Sequence, residues 1–444
     1  MFRTEITTFL SEKNYVELKD YLDNLEPADI VDFIEENEEK LLIVFRLLNK
    51  DVAAEVFSNL SSDKQRQIVE SISDQRLKCI LDELFFDDMI DFLGEMPSNV
   101  VKRVLKNSGI ENRALINQFL SYEQDTAGSL MTIEYLSLKK EWTVLETIQH
   151  IRKKVKKIES LDVAYVTNKS RKLEGELSLK NLLIAEDDEK IEDIMDKDVM
   201  SVTTHTNQEV AIELFKKYNL KVLPVVDSDN ILVGIITLDD VVDAIEEENT
   251  EDFQKMAALQ PSKEEYLETS VFDLAKNRLL WLVVLMISAT FTGSIISKYE
   301  DIIQSMVVLA ASIPMLMDTG GNAGSQSSTL IIRGMALGEV KTQDFLKVMW
   351  KELRVSLFVG AGLGVLNFLR MRYILKHDVK VCILVSITLG VTIVIAKLVG
   401  GILPIGAKKL KLDPAIMAGP LVTTVVDTLA LLIYFYLAML MFKF

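Results

Sequence analysis

The sequence has few of the residues that build disulfide-linked or zinc-stabilised folds. Only 2 cysteines and 3 histidines occur among 444 residues, and Cys79 and Cys382 lie in different halves of the chain. A disulfide framework needs several cysteine pairs, and a zinc site needs cysteines and histidines at short spacings, so the sequence argues against both. We expect the soluble part of the chain to occupy a reducing compartment.

The chain also lacks an N-terminal targeting pattern and an even distribution of charge. Its opening, MFRTEITTFL, has no apolar core of signal-peptide length, so we expect the N-terminus to stay in the cytoplasm. Residues 278–444 hold 9 of the 66 acidic and 16 of the 49 basic residues, which leaves 57 acidic against 33 basic in residues 1–277. This acidic part disfavours nucleic acid as a partner and favours cations, with plain solubility as the alternative explanation.

Residues 1–130 carry recurring helix-start patterns, in each of which an acid precedes an apolar-periodic stretch. An acid at this place can cap a helix N-terminus, and similar helical units in tandem favour a solenoid. We therefore predict an acidic α-helical superhelix. The four starts are Leu25-x3-Asp29, Leu48-x2-Asp51, Leu60-x2-Asp63 and Leu84-x2-Asp87.

Residues 131–248 contain an α/β unit twice. The second copy, Met200–Ile245, reads as a helix, the strand KVLPVV, the turn DSDN, the strand VGIIT and a helix from Leu238; the first copy has the same order around VAYVT and LEGELS. This duplication resembles a tandem pair of CBS domains, which commonly dimerise and often bind adenine nucleotides. The resemblance makes Gly234 and Thr237 candidate nucleotide contacts and ATP a candidate cofactor. A turn glycine and a helix cap are the alternative reading of the two residues.

The stretch DDVVDAIEEENTED, residues 239–252, places acids on two stripes of one predicted helix. Like charges four residues apart oppose the helix unless cations neutralise them. Oxygen ligands without cysteine or histidine suit Mg²⁺ or Ca²⁺. A solvated acidic face is the alternative.

Five hydrophobic segments follow, each long enough to span a membrane: about 279–296, 302–332, 355–374, 379–404 and 414–442. With a cytoplasmic N-terminus, an odd number of spans places the C-terminus outside. Basic residues in the loops after the second and fourth segments fit this topology, whereas those after the third depart from the positive-inside rule.

Two of these segments contain polar residues at membrane depth. The second breaks between Asp318 and Ser328, and such a break must pack on protein or line a wet cavity. The last contains Asp427, and a carboxylate at the bilayer centre costs at least about 2.5 kcal/mol, so it usually serves a function. Thr423 shares the helical face of Asp427. The alternative is that Asp427 pairs with Lys397 of the fourth segment.

The membrane segments contain the residues that point to a family. Pro314, Gly321, Asn322, Gly324 and Gln326 form the pattern P-x6-GN-x-G-x-Q, and DPAIMAGPLVTTVVD follows at residues 413–427. Both resemble the MgtE family of magnesium channels. The resemblance implies a homodimer in the cell inner membrane, with Mg²⁺ as both transported and regulatory ion and with no enzymatic activity. It also implies a multidomain fold: a helical superhelix (1–130), tandem CBS domains (131–248), a linker helix (249–277) and a pore domain of five transmembrane helices (278–444).

The resemblance also assigns metal-binding residues to two regions. The family places regulatory Mg²⁺ between the superhelix and the acidic helix after the second CBS domain, and we expect the linker helix, about Glu264–Asn277, to close the pore. The neighbour Asp88 leaves the register on the superhelix open by one residue, and we assign Asp318 no role. The predicted pore residues are Asp427, Asp413, Asn322 and Thr423, and the predicted regulatory residues are Asp87, Asp91, Asp240, Asp243, Glu248, Glu251 and Asp252.

Other function classes stay open at this point. A membrane enzyme regulated by CBS domains, such as a phosphohydrolase, would need basic partners beside its acids, which GGNAGSQSS and DPAIMAGP do not supply. A nucleotide sensor fused to a membrane anchor would not need Asp427. A transporter of Co²⁺ or Ni²⁺ is a further alternative, although hard oxygen ligands favour Mg²⁺.

Overall fold

The computed structural model describes residues 2–155, 158–262, 266–267 and 269–442. They divide into two units, Met1–Ile245 and Glu246–Phe444, and each unit has its own apolar cores.

Short helices fill the N-terminal part of the first unit, as the repeated patterns predict. Apolar residues at helical spacing on these helices share one continuous core with part of the α/β region. The helices are α1 (Phe2–Glu12), α2 (Tyr15–Leu22), α3 (Pro27–Glu36), α4 (Leu41–Leu47), α5 (Lys50–Ser58), α6 (Ser62–Ser71), α7 (Asp74–Leu81), α8 (Phe86–Glu95), α9 (Ser98–Asn107), α10 (Ile110–Phe119) and α11 (Ala127–Leu130).

The acids that begin the patterns do not cap these helices, contrary to the prediction. Asp51 and Asp87 lie in the first turns of α5 and α8. Asn49 caps α5 instead, because its side-chain oxygen accepts a 2.9 Å hydrogen bond from the backbone N–H of Val52. A carboxylate in the first turn interacts favourably with the helix dipole. The pattern therefore located the helix starts but misassigned the cap.

The α/β region is duplicated, as predicted. Its strands are β1 (Ser137–Leu138), β2 (Val163–Thr167), β3 (Leu173–Ser178), β4 (Val202–Thr203), β5 (Val222–Val226) and β6 (Leu232–Thr237). In both sheets, β1-β2-β3 and β4-β5-β6, the first pair is parallel and the second is antiparallel. Around them lie α12 (Val144–Lys154), α13 (Leu179–Ile184), α14 (Ile191–Ile194), α15 (Gln208–Tyr218) and α16 (Leu238–Met256).

The second unit is built of five long apolar helices and one short helix, α18, within the described residues. They are α17 (Val271–Lys298), α18 (Glu300–Ser305), α19 (Val307–Ala336), α20 (Phe345–Leu369), α21 (Val379–Lys409) and α22 (Gly419–Phe442). Among the described residues, four segments are long and apolar enough to cross a membrane: Val271–Lys298, Thr342–Ile374, Val379–Lys409 and Pro414–Phe442. They match four of the five predicted spans. The other predicted span is α19, whose 30 residues reach about 45 Å but include the polar segment 318–328.

The predicted break in this second span is absent, because α19 continues as a helix through residues 318–328. Its glycines serve close packing instead. A Cβ atom on Gly324 would lie 2.7 Å from Val422 Cγ1, and one on Gly400 would lie 2.3 Å from the Gly324 carbonyl oxygen. The glycines therefore let α19 approach α21 and α22 at backbone distance, which a side chain would prevent.

The described part of the linker is helical only at its ends. Helix α16 ends at Met256, and α17 begins at Val271, where Ser270 Oγ accepts a hydrogen bond from the backbone N–H of Asp273. The predicted linker helix, about Glu264–Asn277, lies partly outside the described residues. Its last seven positions form the first two turns of α17.

Candidate metal sites

Polar side chains follow one face of α19. Asp318, Asn322 and Gln326 are four residues apart, which places them on the same side of a helix, and all three are exposed. We call these three residues the polar stripe. The buried residues Gly320, Gly321 and Gly324 lie on the side of α19 that packs on α21 and α22. The packing of the glycines thus determines which side of α19 stays uncovered in the single chain.

Helix α22 brings two predicted pore residues to the edge of the polar stripe. A Cβ atom on Gly321 would lie 3.0 Å from Thr423 Cγ2, so Thr423 packs against Gly321, the residue that precedes Asn322 in the sequence. The Thr423 hydroxyl donates to the carbonyl oxygen of Pro420 at 2.8 Å, and its oxygen lone pairs stay available as ligands. Asp427 lies near enough to Asp318 for the two carboxylates to interact electrostatically.

Asp427 and Lys397 do not form an ion pair in the described structure. The Lys397 ammonium donates instead to Ser327 Oγ at 3.2 Å. Among the residues that the structure describes, the Asp427 carboxylate makes no hydrogen bond and no ion pair, and it is half-buried. The alternative explanation of Asp427, as the partner of a membrane lysine, is therefore not what the structure contains.

Asp413 caps the short 3-10 helix Pro414–Met417 that leads into α22, and its side chain contacts the end of α16. One of its carboxylate oxygens accepts a 2.8 Å hydrogen bond from the backbone N–H of Ala415, and the other lies 2.6 Å from Lys255 Nζ. Lys255 also lies 2.5 Å from a carboxylate oxygen of Glu251. Burial, followed by repulsion from Asp413, raises the pKa of Asp252 to about 6.

Three of the predicted regulatory residues belong to this arrangement in the second unit. Glu251 and Asp252 lie beside Asp413, and Glu248 is near enough to affect Asp252. Asp252 follows Asp240 by 12 residues of the continuous helix α16, which separates them by about 18 Å along the helix axis. The regulatory role of these three residues stays a prediction.

A second group of acids lies within the first unit. We call it the acidic cluster: Asp87 and Asp88 at the start of α8, Glu134 and Glu159 in segments that flank β1 and β2, and Asp239 and Asp240 at the start of α16. The N-terminus of α8 is fixed here because the backbone N–H of Phe86 donates to Glu134 at 3.3 Å. Thr237 donates to Asp240 at 2.5 Å and thereby fixes the start of α16.

Burial and mutual repulsion raise the pKa values of four members of the acidic cluster: Asp87, Asp88, Glu159 and Asp240. Burial is the largest cause in each case, and the neighbouring carboxylates add to it. The pKa of Asp88 rises to about 6 and that of Glu159 to about 8. The pKa values of Asp87 and Asp240 rise as well, and the charge of Asp240 is the largest electrostatic contribution to that of Asp87. These four carboxyl groups therefore bind protons more readily than exposed carboxyl groups do, because each charged form is buried among other acids.

Sequence reasoning found Asp87 and Asp240 of this cluster and missed Glu134, Glu159 and Asp239. Asp243 lies near enough to raise the pKa of Asp88, as predicted for a neighbour of the superhelix acids. Asp91 lies on the exposed side of α8. Glu134 and Glu159 stand alone among unlike neighbours in the sequence, and only folding brings them to α8, so no local pattern could have identified them.

No ready-made coordination site exists in either region. Within the described ranges, no three side chains of His, Cys, Asp or Glu are arranged to hold one metal ion directly. A strongly hydrated ion such as Mg²⁺ does not require such a site, because it keeps several of its waters and uses one or two carboxylates.

The two candidate nucleotide contacts have structural roles. Thr237 is buried, and both its hydroxyl and its backbone N–H donate to Asp240. A Cβ atom on Gly234 would lie 2.6 Å from the carbonyl oxygen of Thr132, so only glycine fits there. The alternative reading, a tight-packing glycine and a helix cap, describes both residues.

Three protein-family models match the chain. The model described as MgtE, divalent cation transporter, matches residues 313–437. The model of the MgtE intracellular N domain matches residues 14–125, and that of the CBS domain matches residues 191–247.

Known proteins resemble the chain over most of its length. The magnesium transporter MgtE of Bacillus subtilis is 34% identical over 352 residues, which cover 79% of this chain and 77% of that protein. The magnesium transporter MgtE of Thermus thermophilus is 37% identical over 331 residues, or 74% of this chain and 73% of that protein. The crystal structure of the cytosolic domain of the Mg²⁺ channel MgtE in complex with ATP superposes with a TM-score of 0.52 at 34% identity. It covers 55% of this chain and 99% of that structure.

Proposed function

Because the chain belongs to the MgtE family, it is a membrane transporter of magnesium, and we propose that it works as a homodimeric channel lined by the polar stripe, Thr423 and Asp427. Its N-terminal domains lie in the cytosol. We further propose that the C-terminus lies outside and that Mg²⁺ bound at the acidic cluster closes the channel.

The exposed polar stripe carries the proposal for the pathway. Asp318, Asn322 and Gln326 are uncovered in the single chain, although α19 packs among membrane helices. Hydrocarbon cannot satisfy amides or carboxylates, and each unsatisfied polar group would cost several kcal/mol there. The polar stripe must therefore meet water, ions or a second copy of the chain, and a twofold axis beside α19 would supply all three.

The oxygen atoms beside this face suit a hydrated Mg²⁺ ion. The ion loses its waters reluctantly, so it passes most readily where carboxylates hold it through its hydration shell. Asp427 supplies negative charge, and Asn322 and Thr423 supply neutral oxygens at the same edge. A cysteine or histidine ligand, which would favour Co²⁺ or Ni²⁺, is not part of this set.

Regulation follows from the raised pKa values of the acidic cluster. Without a cation, repulsion among the carboxylates opposes the contact of α8 with the segments around Glu134, Glu159 and α16. Bound Mg²⁺ removes that repulsion and favours the closed arrangement. Mg²⁺ shifts the equilibrium between the open and closed states only by as much as its binding free energies for the two states differ. Asp413 and Lys255 link the end of α16 to the segment that leads into α22, so that a change in α16 can reach the pathway helix.

ATP is a candidate second ligand of the CBS pair. A relative's cytosolic domain was crystallised with ATP, which supports this proposal. The relatives that match most of the chain are named as magnesium transporters.

Uptake into liposomes tests the proposed transport. Purified protein is reconstituted, and tracer Mg²⁺ entry is followed in vesicles whose N-terminal unit faces the lumen, with luminal Mg²⁺ set low. We expect Mg²⁺ uptake that protein-free liposomes lack. We also expect this Mg²⁺ uptake to continue in the presence of excess Co²⁺ or Ni²⁺. A chain that carried Co²⁺ or Ni²⁺ faster than Mg²⁺ would reverse the assignment of the ion.

Closure by Mg²⁺ should depend on pH. Asp88 and Glu159 have pKa values raised to about 6 and about 8, so protons compete with Mg²⁺ for them at neutral pH. We expect the half-inhibitory luminal Mg²⁺ concentration to fall by roughly ten-fold between pH 6 and pH 8, because metal binding displaces protons. Tracer uptake at several luminal Mg²⁺ concentrations measures it, and a pH-independent value would contradict the role of these two acids.

The same pKa shifts predict how stability changes with pH when Mg²⁺ is absent. Carboxyl groups whose pKa values are raised by folding stabilise the folded state below the unfolded pKa, near 4. That stability is lost as the pH rises through about 6 and about 8, the values of Asp88 and Glu159.

A further inference from the structure

A lysine is buried among the membrane helices, and no carboxylate of the described residues forms an ion pair with it. Lys397, on α21, is 6% exposed. Among the described residues it forms no direct ion pair, and its ammonium donates to Ser327 Oγ of α19 at 3.2 Å. An unpaired charge at membrane depth costs several kcal/mol, so a lysine in such a place requires compensation.

Ser327 connects the lysine to a carboxylate on a third helix. Ser327 is fully buried, and its hydroxyl donates to Glu352 Oε2 of α20 at 2.6 Å. A serine hydroxyl accepts and donates at once. The ammonium and the carboxylate are therefore joined through one hydroxyl, and we call this connection the Lys397–Ser327–Glu352 relay.

The relay lies where α19 packs most closely on its neighbours. A Cβ atom on Gly400, one turn after Lys397, would lie 3.2 Å from Ser327 Cβ and 2.3 Å from the carbonyl oxygen of Gly324. Gly324 in turn packs on Val422 of α22. A small shift of α19 at this level would therefore displace Asn322, which precedes Ser327 by five residues, relative to α22.

We propose that Lys397 is a positioning residue for the ion pathway: through Ser327 and Glu352 it holds α19 in register with α20 and α21, so that Asn322 meets the passing cation beside Thr423. This inference rests on the proposed function. A relay between opposite charges is directional, and inside a low dielectric its hydrogen bonds are strong. An apolar contact between the same helices would fill the space but would permit them to slide.

The test is a mutant cycle on the half-saturating Mg²⁺ concentration for uptake. Ser327→Ala removes the connection and keeps both charged groups, and Lys397→Met removes the ammonium. We expect each to raise the half-saturating concentration by roughly five-fold, in the range of couplings within one hydrogen-bond network. The double variant Lys397→Met with Glu352→Gln should have a half-saturating concentration no higher than the higher of those of Lys397→Met and Glu352→Gln alone, since both residues act through the relay.

Two variants serve as matched controls. Ser312→Ala removes a buried hydroxyl of the same helix that donates to the carbonyl oxygen of Val308 and lies outside the relay. Lys351→Met removes an exposed lysine beside Glu352. We expect both to keep the wild-type half-saturating concentration.

The outcomes separate this inference from the proposed function. Absence of uptake by the wild-type protein would reject the function itself. Wild-type uptake with an unchanged half-saturating concentration in Ser327→Ala would overturn the positioning role, even if Lys397→Met failed to fold. The positioning role would also be overturned if the fold-change in half-saturating concentration of the double variant equalled the product of those of its two single variants, because that result indicates independent residues. A lower maximal rate without a shift in half-saturation would assign the relay to stability alone.

Discussion

Replacing Asp427 with asparagine should reduce Mg²⁺ uptake by at least roughly a hundred-fold. The substitution keeps the shape of the side chain and removes only its charge. A doubly charged ion about 5 Å from one carboxylate gains about 7 kcal/mol at an effective dielectric constant of 20. The cost of partly dehydrating the ion and the carboxylate offsets much of this gain. Even a net loss of about 3 kcal/mol, however, corresponds to a reduction of more than a hundred-fold in uptake. Tracer uptake into liposomes at fixed luminal Mg²⁺ measures the effect.

Two further substitutions place that result in context. Asp301→Asn removes an exposed acid of the short helix α18 in the same unit, and it should leave uptake unchanged. Asp318→Asn removes the carboxylate of the polar stripe that interacts electrostatically with Asp427. It should reduce uptake more than Asp301→Asn does and less than Asp427→Asn does. Uptake by Asp427→Asn at the rate of Asp301→Asn would move the site of ion selection away from α22.

Neutralising three members of the acidic cluster should abolish closure by Mg²⁺. In the variant Asp88→Asn, Glu159→Gln and Asp240→Asn, the charges that hold the regulatory ions are gone. Each lost hydrogen bond from an ion's water to a carboxylate costs about 1.5 to 3 kcal/mol. The half-inhibitory luminal Mg²⁺ concentration should therefore rise by at least roughly a hundred-fold, while uptake at low luminal Mg²⁺ persists. Tracer uptake across a range of luminal Mg²⁺ concentrations measures both.

The matched control removes the same number of charges elsewhere in the first unit. Glu186, Asp187 and Asp188 are consecutive exposed acids outside the acidic cluster. The variant Glu186→Gln, Asp187→Asn and Asp188→Asn should close at the wild-type Mg²⁺ concentration. If both triple variants still closed normally, Mg²⁺ sensing would have to reside outside the acidic cluster, for example beside Asp413 and Asp252.

The sequence predicted those features of the pathway that depend on helical periodicity. Asn322, Thr423 and Asp427 were assigned from their positions in apolar segments, and the structure brings α19 and α22 together at Gly321 and Thr423. The predicted break in α19 was wrong because glycine has two uses. At Gly320, Gly321 and Gly324 the missing side chain permits helix contact rather than an interruption of the helix.

The acidic cluster could be predicted only in part, because its members come from distant segments. Asp87 and Asp240 stood out at the starts of predicted helices, where local patterns are informative. Glu134 and Glu159 carry no such pattern, and their roles follow from tertiary packing against α8. Glu251 contacts Lys255, which also contacts Asp413, and the sequence did not predict this neighbourhood because charge spacing alone does not specify where along a helix of 19 residues one set of contacts ends and another begins.

The Lys397–Ser327–Glu352 relay shows the same limit. Lys397 was recognised from the sequence as an unusual residue in an apolar segment, and Asp427 was its only obvious partner there. Ser327 and Glu352 lie on two other helices, at separations of 70 and 45 residues from Lys397. Ser327 and Glu352 join the relay only because α19 and α21 approach closely at Gly324 and Gly400. No local sequence pattern predicts that approach.

The central claim, that the polar stripe lines a watery Mg²⁺ pathway, is tested most directly by thiol accessibility. Asn322→Cys and Phe358→Cys are compared in a background in which Cys79 and Cys382 are replaced by alanine. Both positions are exposed in the single chain, and Phe358 lies on α20, outside the polar stripe. The account predicts that a water-soluble thiol reagent modifies the cysteine at position 322, that Mg²⁺ slows this reaction, and that position 358 stays unreactive in lipid. Equal protection of both positions, or modification of position 322 at a rate that Mg²⁺ does not change, would contradict it.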